Sequence, residues 1–324
     1  MKAIVYDHYG PPDVLRFEEI EKPVPTDDQL LIQVRASSVN PYDWHFIRGT
    51  PSLIRIFAGL RAPKFRRLGA DLAGVVEAAG RNITTFKPGD AVFGTAKGSF
   101  AEYVCAPEST LALKPENISW QQAATVPIAG ITALQGLRDK GRILKGQHVL
   151  INGAAGGVGT FAVQIAKSLE ARVTAVCSTR NIELVRSIGA DEVIDYTREN
   201  FLQGNRLYDL FFDLVGNHSL PACLRVLEPN GTYIGCGGGG PDRRSIELLT
   251  PMLQRLVLAP FTTRKLPGLL AKVNAADLKF LADLIRSGKV TPVLDCTYPL
   301  KETADAIRYL EQCHARGKVA ITVP

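Results

Sequence analysis

Two patterns of apolar residues divide the chain of 324 residues. In the first 110 residues, short apolar stretches alternate with polar positions, as in "QLLIQVRASSV", where Ile32 and Val34 flank Gln33. Turn sequences such as "KPGD" (87–90) separate these stretches. A period of two residues predicts β-strands, so we expect an all-β N-terminal part that forms a partly open barrel.

From about residue 120 the pattern changes to alternating strands and helices. "HVLIN" (148–152) is a short apolar strand, and the residues after Gly159 place apolar side chains at helical spacing. Further strands and helices follow in "RVTAV", "NIELVRSIG", "DEVID", "YDLFFDLVG" and "GTYIGCGGGG". This order predicts an α/β domain with a doubly wound parallel sheet. A helix in "DLKFLADLIRSG" and a strand in "KVAITV" end the chain, and we expect this tail to return to the β-rich part.

A glycine-rich loop lies between the strand at 148–152 and the helix that follows it. Small residues there allow a tight turn and close approach of the backbone to a pyrophosphate, whose charge the helix N-terminus stabilises. The strand–loop–helix context therefore predicts a dinucleotide site. The predicted binding residues of the loop are Gly153, Ala155, Gly156, Gly157 and Val158.

The end of the next strand predicts which dinucleotide binds. An NAD site usually carries Asp or Glu about twenty residues after the loop, where it binds the ribose hydroxyls. Here Ser178, Thr179 and Arg180 occupy that region, which contains no carboxylate. Two hydroxyls and a guanidinium suit a ribose 2′-phosphate, so NADPH is favoured. The alternative is that Arg180 is an exposed residue that begins the next helix.

Charge and composition exclude several classes of function. No apolar run is long enough for a transmembrane helix, and the N-terminus does not resemble a signal peptide, so we expect a cytoplasmic protein. The net charge of +6 is mild, and cations cluster only in "RIFAGLRAPKFRR" (55–67), here called the basic segment. It is either a surface for nucleic acid or lipid phosphate, a solvated loop, or a loop that helps to hold an anionic cofactor. We expect neither nucleic acid nor a membrane as a partner.

Several motifs together resemble the medium-chain dehydrogenase/reductase superfamily, in its zinc-free quinone oxidoreductase, or zeta-crystallin-like, branch. They are "LGADLAGVV", "FKPGDAVFG", "FAEYV", "AATVPIAGITAL" and "GAAGGVGTFAVQIAKSL", and they follow the family's order over nearly the whole chain. The resemblance implies a GroES-like catalytic domain at 1–122 with 266–324, and a Rossmann cofactor domain at 123–265. It also implies an active-site cleft between the domains and a homodimer.

The resemblance further indicates that the metal ligands are absent. Zinc-dependent members place a Cys ligand where this chain has Asn40-Pro41, and Gly-His-Glu where it has Gly69-Ala70-Asp71. Their later Cys would fall within 126–132, which contains no thiol, and none of the six cysteines has zinc-like spacing. Because a catalytic zinc needs about three protein ligands, we expect no metal.

Candidate catalytic residues come from "SVNPYDWHFIRG". By resemblance, Asn40 lies near nicotinamide and substrate, and the Tyr42 phenol can donate to a substrate oxygen or relay a proton. Asp43 is either an acidic residue of this branch or a cap for the following turn. Asn40 is also a predicted cofactor residue, and the others implied by resemblance are Thr125, Pro127, Thr132, Tyr196, Val215, Gly216, Cys236, Gly237 and Lys318. Lys318 is otherwise a surface lysine.

These observations predict an NADPH-dependent, zinc-independent oxidoreductase that transfers hydride to quinones or α,β-unsaturated carbonyls. Charge on such a conjugated acceptor is delocalised, so modest hydrogen-bond donors suffice where a metal would otherwise act. The first alternative is a structural or regulatory protein that binds NADPH with little turnover. The second is an enzyme that resembles alcohol dehydrogenases.

Overall fold

The computed structural model describes residues 1–52, 54–237, 254–255 and 257–324. The chain forms two compact units. The nucleotide unit comprises residues 132–271 and 289–291, and the β-rich unit comprises 1–131, 272–288 and 292–324. Most of the tail, from residue 272 onward, belongs to the β-rich unit. The glycine-rich sequence after Gly237 lies outside the described residues.

The strands of the β-rich unit form one larger sheet and a two-stranded ribbon, β1 with β2. Within the sheet the order is β13-β14-β3-β4-β5-β7, and β6 pairs with β3. Only β13 and β14 pair in parallel among these strands. The strands are β1 (Lys2–Val5), β2 (Arg16–Glu19), β3 (Leu30–Ser38), β4 (Asp71–Ala79), β5 (Ala91–Thr95), β6 (Tyr103–Ala106), β7 (Leu111–Leu113), β13 (Leu294–Pro299) and β14 (Lys318–Thr322).

The nucleotide unit contains a five-stranded parallel sheet in the order β10-β9-β8-β11-β12. Its strands are β8 (His148–Asn152), β9 (Arg172–Cys177), β10 (Glu192–Asp195), β11 (Tyr208–Asp213) and β12 (Leu227–Gly235). Along the chain this is the order 3-2-1-4-5, which confirms the predicted doubly wound sheet. The order reverses between β8 and β11, and such sheets bind ligands at the carboxyl ends of these strands.

The helices are short, and local sequence explains where several begin. They are α1 (Pro41–Arg48), α2 (Ile54–Ala58), α3 (Trp120–Ala124), α4 (Pro127–Leu134), α5 (Gly157–Ser168), α6 (Ile182–Ser187), α7 (Leu220–Leu224), α8 (Ala275–Arg286) and α9 (Thr303–Glu311). At α3, the Ser119 hydroxyl accepts from the Gln122 N–H, and the Gln122 side chain accepts from the Ser119 N–H. This reciprocal capping satisfies two N–H groups that a helix otherwise leaves unpaired.

Each unit has its own apolar core. In the β-rich unit, Ile32, Val34 and Leu72 from β3 and β4 pack with Ile321 of β14. In the nucleotide unit, Leu150 and Phe211 from the parallel sheet pack with residues of α7. None of the helices in the described ranges is both long and apolar enough to cross a lipid bilayer.

Candidate active site

The glycine-rich loop joins β8 to α5 at the point where the strand order reverses. The N–H groups of Gly153 and Ala154 both donate to Val176 O, at 3.2 and 3.1 Å, which holds the loop against β9. Gly153 has φ of +82°, a conformation that favours glycine. A Cβ on Gly159 would lie 2.1 Å from Gly153 O, so only glycine allows the helix to approach the turn this closely. The first turn of α5 therefore directs N–H groups without intrahelical partners at the carboxyl edge of the sheet.

Two polar residues that the sequence pattern did not single out organise the same edge. Asp213, at the end of β11, accepts hydrogen bonds from Asn152 Nδ2 at 2.9 Å and from the Gly216 N–H at 2.9 Å. Its other oxygen accepts from the Tyr233 hydroxyl at 2.9 Å. Asp213 therefore shapes the loop that contains Val215 and Gly216. The available signal was that β8 and β11 are apolar strands that each end in a polar residue.

The residues predicted to select the coenzyme lie at the carboxyl end of β9. Ser178 is half-buried, and its hydroxyl accepts from the Asn181 side chain at 3.2 Å. Thr179 and Arg180 are exposed, in a short 3-10 helix, Thr179–Asn181. The position of Arg180 at a short helix fits both the phosphate-binding prediction and its alternative.

A carboxylate does lie beside these residues, contributed by the neighbouring strand. Asp195, at the end of β10, accepts from the Thr179 hydroxyl at 2.5 Å and from the Thr197 hydroxyl at 2.7 Å. The hydrogen bond from Thr179 lowers the pKa of Asp195. Arg198 Nε lies 3.5 Å from the same carboxylate. The hydroxyl of Thr179, predicted to bind a 2′-phosphate, is thus already engaged, and Arg198 balances the charge of Asp195.

Tyr196 lines a cavity of about 340 Å³ next to this turn. Its other lining residues are Thr197, Arg198, Glu199, Asn200, Phe201, Asn217 and His218. The rings of Phe201 and His218 meet edge to face, with centroids 5.1 Å apart. The remaining predicted residues of this unit lie at the ends of β11 and β12, where the Cys236 N–H donates to Asp213 O at 2.8 Å. Gly237 is exposed, and a Cβ there would lie 2.3 Å from Leu214 O.

In the β-rich unit, three adjacent strands bring Asn40, Asp71 and Lys318 into one buried network. Lys318 Nζ donates to Asn40 Oδ1 at 2.5 Å and to Val39 O at 3.0 Å, and lies 3.6 Å from Asp71 Oδ2. Asn40 Nδ2 donates to Asp71 Oδ2 at 2.9 Å and to Ser38 O at 3.2 Å. Lys318 is 4% exposed, so the alternative of a surface lysine is wrong. Its predicted cofactor contact stays a prediction.

The network also changes the expectation for Asn40. Both hydrogen bonds donated by Asn40 Nδ2 go to protein acceptors, so the amide expected to donate to a substrate donates within the network instead. The strand order β14-β3-β4 imposes this geometry because it places Ser38 opposite both Ala320 and Asp71. A catalytic role for Asn40 stays a prediction.

We assign the pair of Asp71 and Lys318 as charged. Burial raises the pKa of Asp71 and lowers that of Lys318, and the attraction between the two groups opposes both shifts. Asp71 accepts hydrogen bonds from Ser38 Oγ at 2.8 Å and the Ile128 N–H at 3.0 Å, besides that from Asn40. Donors arranged in this way stabilise a carboxylate rather than a carboxylic acid.

Asp71 also connects the network to the segment 125–132. Its Oδ1 accepts from the Ile128 N–H in the first turn of α4. Thr125 ends α3 and its hydroxyl donates to Gln122 O at 2.7 Å, while Pro127 and Thr132 are buried. Contacts of these three residues with a cofactor stay predictions.

Asp43 caps α1, as one of the two sequence interpretations proposed. Its Oδ2 accepts from the Asn40 N–H at 2.8 Å, and its Oδ1 has no partner among the described residues. Burial raises the pKa of Asp43 to about 7. The nearby Asp71 contributes to this increase in the pKa, and Lys318 opposes it.

Replacing Asp43 by Asn should reduce the dependence of stability on pH. Because the folded pKa of about 7 exceeds the unfolded value of about 3.9, the folded protein binds this proton more tightly. The stability that Asp43 contributes is therefore fully present below pH 4 and falls as the pH rises towards 7. The Asn side chain keeps an oxygen that can accept the same hydrogen bond but does not titrate. Between pH 5 and 7, the free energy of unfolding in urea should therefore fall less steeply with pH in Asp43→Asn than in wild type, by up to about 1.4 kcal/mol per pH unit. Asp283→Asn, which changes an exposed carboxylate, is the control and should keep the wild-type dependence on pH. If the free energy of unfolding depends on pH equally in wild type and Asp43→Asn, Asp43 is not protonated in this range.

Tyr42, predicted from the sequence to act in catalysis, is a partly exposed residue of α1. It lies in the first turn of α1, is 39% exposed, and its ring centroid is 4.2 Å from that of Phe46. Burial raises the pKa of Tyr42 to about 12, so the phenol keeps its proton at neutral pH. Stacking restrains the ring while the hydroxyl can donate to a ligand oxygen.

Comparison with known proteins places this architecture in a family. Residues 26–116 match the alcohol dehydrogenase GroES-like domain family, and residues 188–321 match the zinc-binding dehydrogenase family. The NADPH-dependent alkenal/one oxidoreductase of Arabidopsis thaliana is 36% identical over an alignment of 336 positions. The alignment covers 99% of this chain and 79% of that protein.

The chain belongs to the medium-chain dehydrogenase/reductase superfamily, in its quinone oxidoreductase branch. The 2-methylene-furan-3-one reductase of Solanum lycopersicum is 34% identical, with 99% of this chain and 79% of that protein covered. The solved structure of the quinone oxidoreductase from Coxiella burnetii is 31% identical, with a TM-score of 0.86 and coverage of 100% and 99%. The resemblance predicted from sequence motifs is thus confirmed.

The residues at the superfamily's zinc positions do not fit a zinc ion. The Asn40 and Asp71 side chains both contact the Lys318 ammonium, a cation that uses the oxygens a metal would need. Directly before Asp71, where zinc-dependent members carry His, this chain has Ala70. Within the described ranges, no group of three or more His, Cys, Asp or Glu side chains is arranged to hold a metal. The donor set therefore lacks the thiolate and imidazole ligands of catalytic zinc sites.

Proposed function

We propose that this protein is an NADPH-dependent, zinc-independent oxidoreductase that reduces quinones or the conjugated double bond of α,β-unsaturated carbonyls. The observation that carries the proposal is the Lys318 ammonium, which lies 2.5 Å from Asn40 Oδ1 and 3.6 Å from Asp71 Oδ2. Because this cation occupies the position at which other members of the superfamily bind zinc, hydrogen-bond donors must polarise the substrate in place of a metal. Relatives named as reductases of alkenals, enones and quinones support this substrate class.

The carboxyl edge of the parallel sheet fits NADPH. The N-terminus of α5 can stabilise a pyrophosphate, and the close approach of Gly159 to Gly153 O holds the turn against the start of this helix. Arg180 provides a guanidinium group beside the Ser178–Thr179 turn, where a 2′-phosphate would add negative charge. When bound, NADPH supplies the hydride.

The chain's own residues orient and protonate the acceptor in this proposal. The Tyr42 hydroxyl donates to the carbonyl or quinone oxygen, where negative charge increases during reduction. Asp43 caps α1 through the Asn40 N–H and so fixes the turn from which Tyr42 projects. Conjugation spreads the charge over the acceptor, so one phenol can suffice in place of a metal.

The test of this function is consumption of NADPH with a panel of quinones and enones, compared with NADH. We expect turnover with NADPH, and a reduction of kcat by about a hundredfold in Tyr42→Phe, with the affinity for NADPH unchanged. Tyr103→Phe, which removes a hydroxyl from β6, should retain activity. Binding of NADPH without turnover of any acceptor would favour the structural or regulatory alternative.

Coenzyme selection has a separate test at the end of β9. Arg180→Gln should weaken the binding of NADPH by roughly tenfold to a hundredfold, because the guanidinium that would pair with the 2′-phosphate is lost. The affinity for NADH, which has no 2′-phosphate, should be unchanged. Arg225→Gln provides a control, since Arg225 is exposed just before β12, at the amino end of the sheet. Equal losses for NADPH and NADH, measured by fluorescence titration, would contradict a phosphate contact. The homodimer and the cytoplasmic location expected from the sequence stay predictions.

A further inference from the structure

The basic segment combines exposed apolar side chains with cations. Ile56, Leu60 and Phe65 are 57%, 73% and 52% exposed. Single apolar residues on a surface are ordinary, but three large ones within ten residues of sequence form an unusual concentration.

The backbone of this segment is held in place, so the exposure of these side chains is a feature of the fold. The Lys64 N–H donates to Ala58 O at 2.7 Å, and the Gly59 N–H donates to Arg55 O at 2.8 Å. The Tyr9 hydroxyl donates to Gly59 O at 2.6 Å. Gly59 has φ of +122°, and a Cβ there would lie 2.0 Å from Ala62 O, which makes this turn specific to glycine.

The charges within the basic segment all have one sign. No Asp or Glu occurs between residues 44 and 70. The exposed side chains of Arg61, Lys64 and Arg66 make no hydrogen bond or ion pair with any residue that the structure describes. Lys97 Nζ lies 4.8 Å from the Phe65 ring centroid and adds a further cation. Among the described residues, no carboxylate therefore pairs with Arg61, Lys64 or Arg66.

We propose that the basic segment binds the surface of a bilayer that contains anionic phospholipids. The cations attract the headgroups, and Ile56, Leu60 and Phe65 enter the boundary between headgroups and acyl chains. Nucleic acid is less suitable, because two of these three side chains are aliphatic and cannot stack on bases. This proposal differs from the expectation of no membrane partner, because the sequence did not show which apolar side chains face solvent. It does not depend on the proposed reductase activity.

The test is co-sedimentation of the full chain with vesicles of phosphatidylcholine, with and without one-third phosphatidylglycerol. We expect binding only to the anionic vesicles, and loss of binding as sodium chloride is raised. Lys64→Gln with Arg66→Gln should weaken binding by about thirtyfold, given two cations near the surface. Leu60→Ser with Phe65→Ser should weaken it with net charge unchanged. Lys140→Gln with Lys279→Gln, which removes two exposed cations elsewhere, is the matched control and should bind normally.

Four outcomes would overturn the proposal. They are no binding to anionic vesicles, equal binding to neutral vesicles, an equal loss in the control variant, and binding of a single-stranded oligonucleotide through Lys64 and Arg66 without vesicle binding. Circular dichroism and the melting temperature establish that each variant is folded. If only the charge variant loses binding and the apolar variant does not, insertion is also contradicted.

Discussion

Replacing Lys318 by Met should lower the free energy of unfolding by about 3–5 kcal/mol, because it leaves the buried Asp71 carboxylate without its counter-ion. Methionine has a similar apolar stem, so the volume of the side chain is largely kept and the loss reports the charge. Asn40 would also lose the donor to its Oδ1. Urea unfolding at pH 7 measures the effect.

Two further variants distinguish charge pairing from a general disturbance of β14. Lys301→Met changes an exposed lysine and should have little effect, since its side chain is 67% exposed. Asp71→Asn combined with Lys318→Met removes both charges and should recover part of the stability. A Lys318→Met protein within about 1 kcal/mol of wild type would show that the pair is not charged in the folded state.

Replacing Gly159 by Ala should damage both stability and coenzyme binding. The added Cβ would lie 2.1 Å from Gly153 O and 2.7 Å from the Ala154 carbonyl carbon, and these are backbone atoms that cannot rotate away. Separating α5 from the turn should cost about 2–3 kcal/mol. It would also displace the first-turn N–H groups, so we expect the affinity for NADPH to fall by at least about tenfold.

Gly268→Ala is the matched control for this substitution. A Cβ at Gly268 would meet nothing within 4 Å, so stability and NADPH affinity should match those of wild type. Thermal unfolding and fluorescence titration measure the two quantities separately. A Gly159→Ala protein with normal NADPH affinity would exclude the α5 N-terminus as the pyrophosphate site.

The nucleotide unit shows which parts of a site can be predicted from sequence. Strand β8 matches the prediction at 148–152, and α5 follows it, because period and glycine content are local signals. The roles of Asn152 and Asp213 were not predictable in this way. Each is a single polar residue at the end of a strand, and the two are 61 residues apart in sequence. They are in contact only because β8 and β11 are neighbours in the sheet.

The coenzyme turn shows the same limit. The residues 178–182 directly after β9 contain no carboxylate, yet Asp195 contacts Thr179 because β10 pairs with β9 in parallel. A local count of acidic residues therefore missed a charge that lies one strand away. The presence of Arg198 beside Asp195 was likewise invisible until the strands were paired.

By itself, the amino-acid sequence determined the two structural classes, the glycine turn before α5 and the absence of Cys and His from the zinc positions. The structural classes and the glycine turn follow from periodicity and backbone freedom, which act over a few neighbouring positions, whereas the zinc positions were located by resemblance to the superfamily. Only the tertiary structure decided that Lys318, 278 residues from Asn40, contacts both Asn40 and Asp71. The reason is physical: the pairing of β14 with β3 excludes water from three polar side chains, and once they are buried they must satisfy one another.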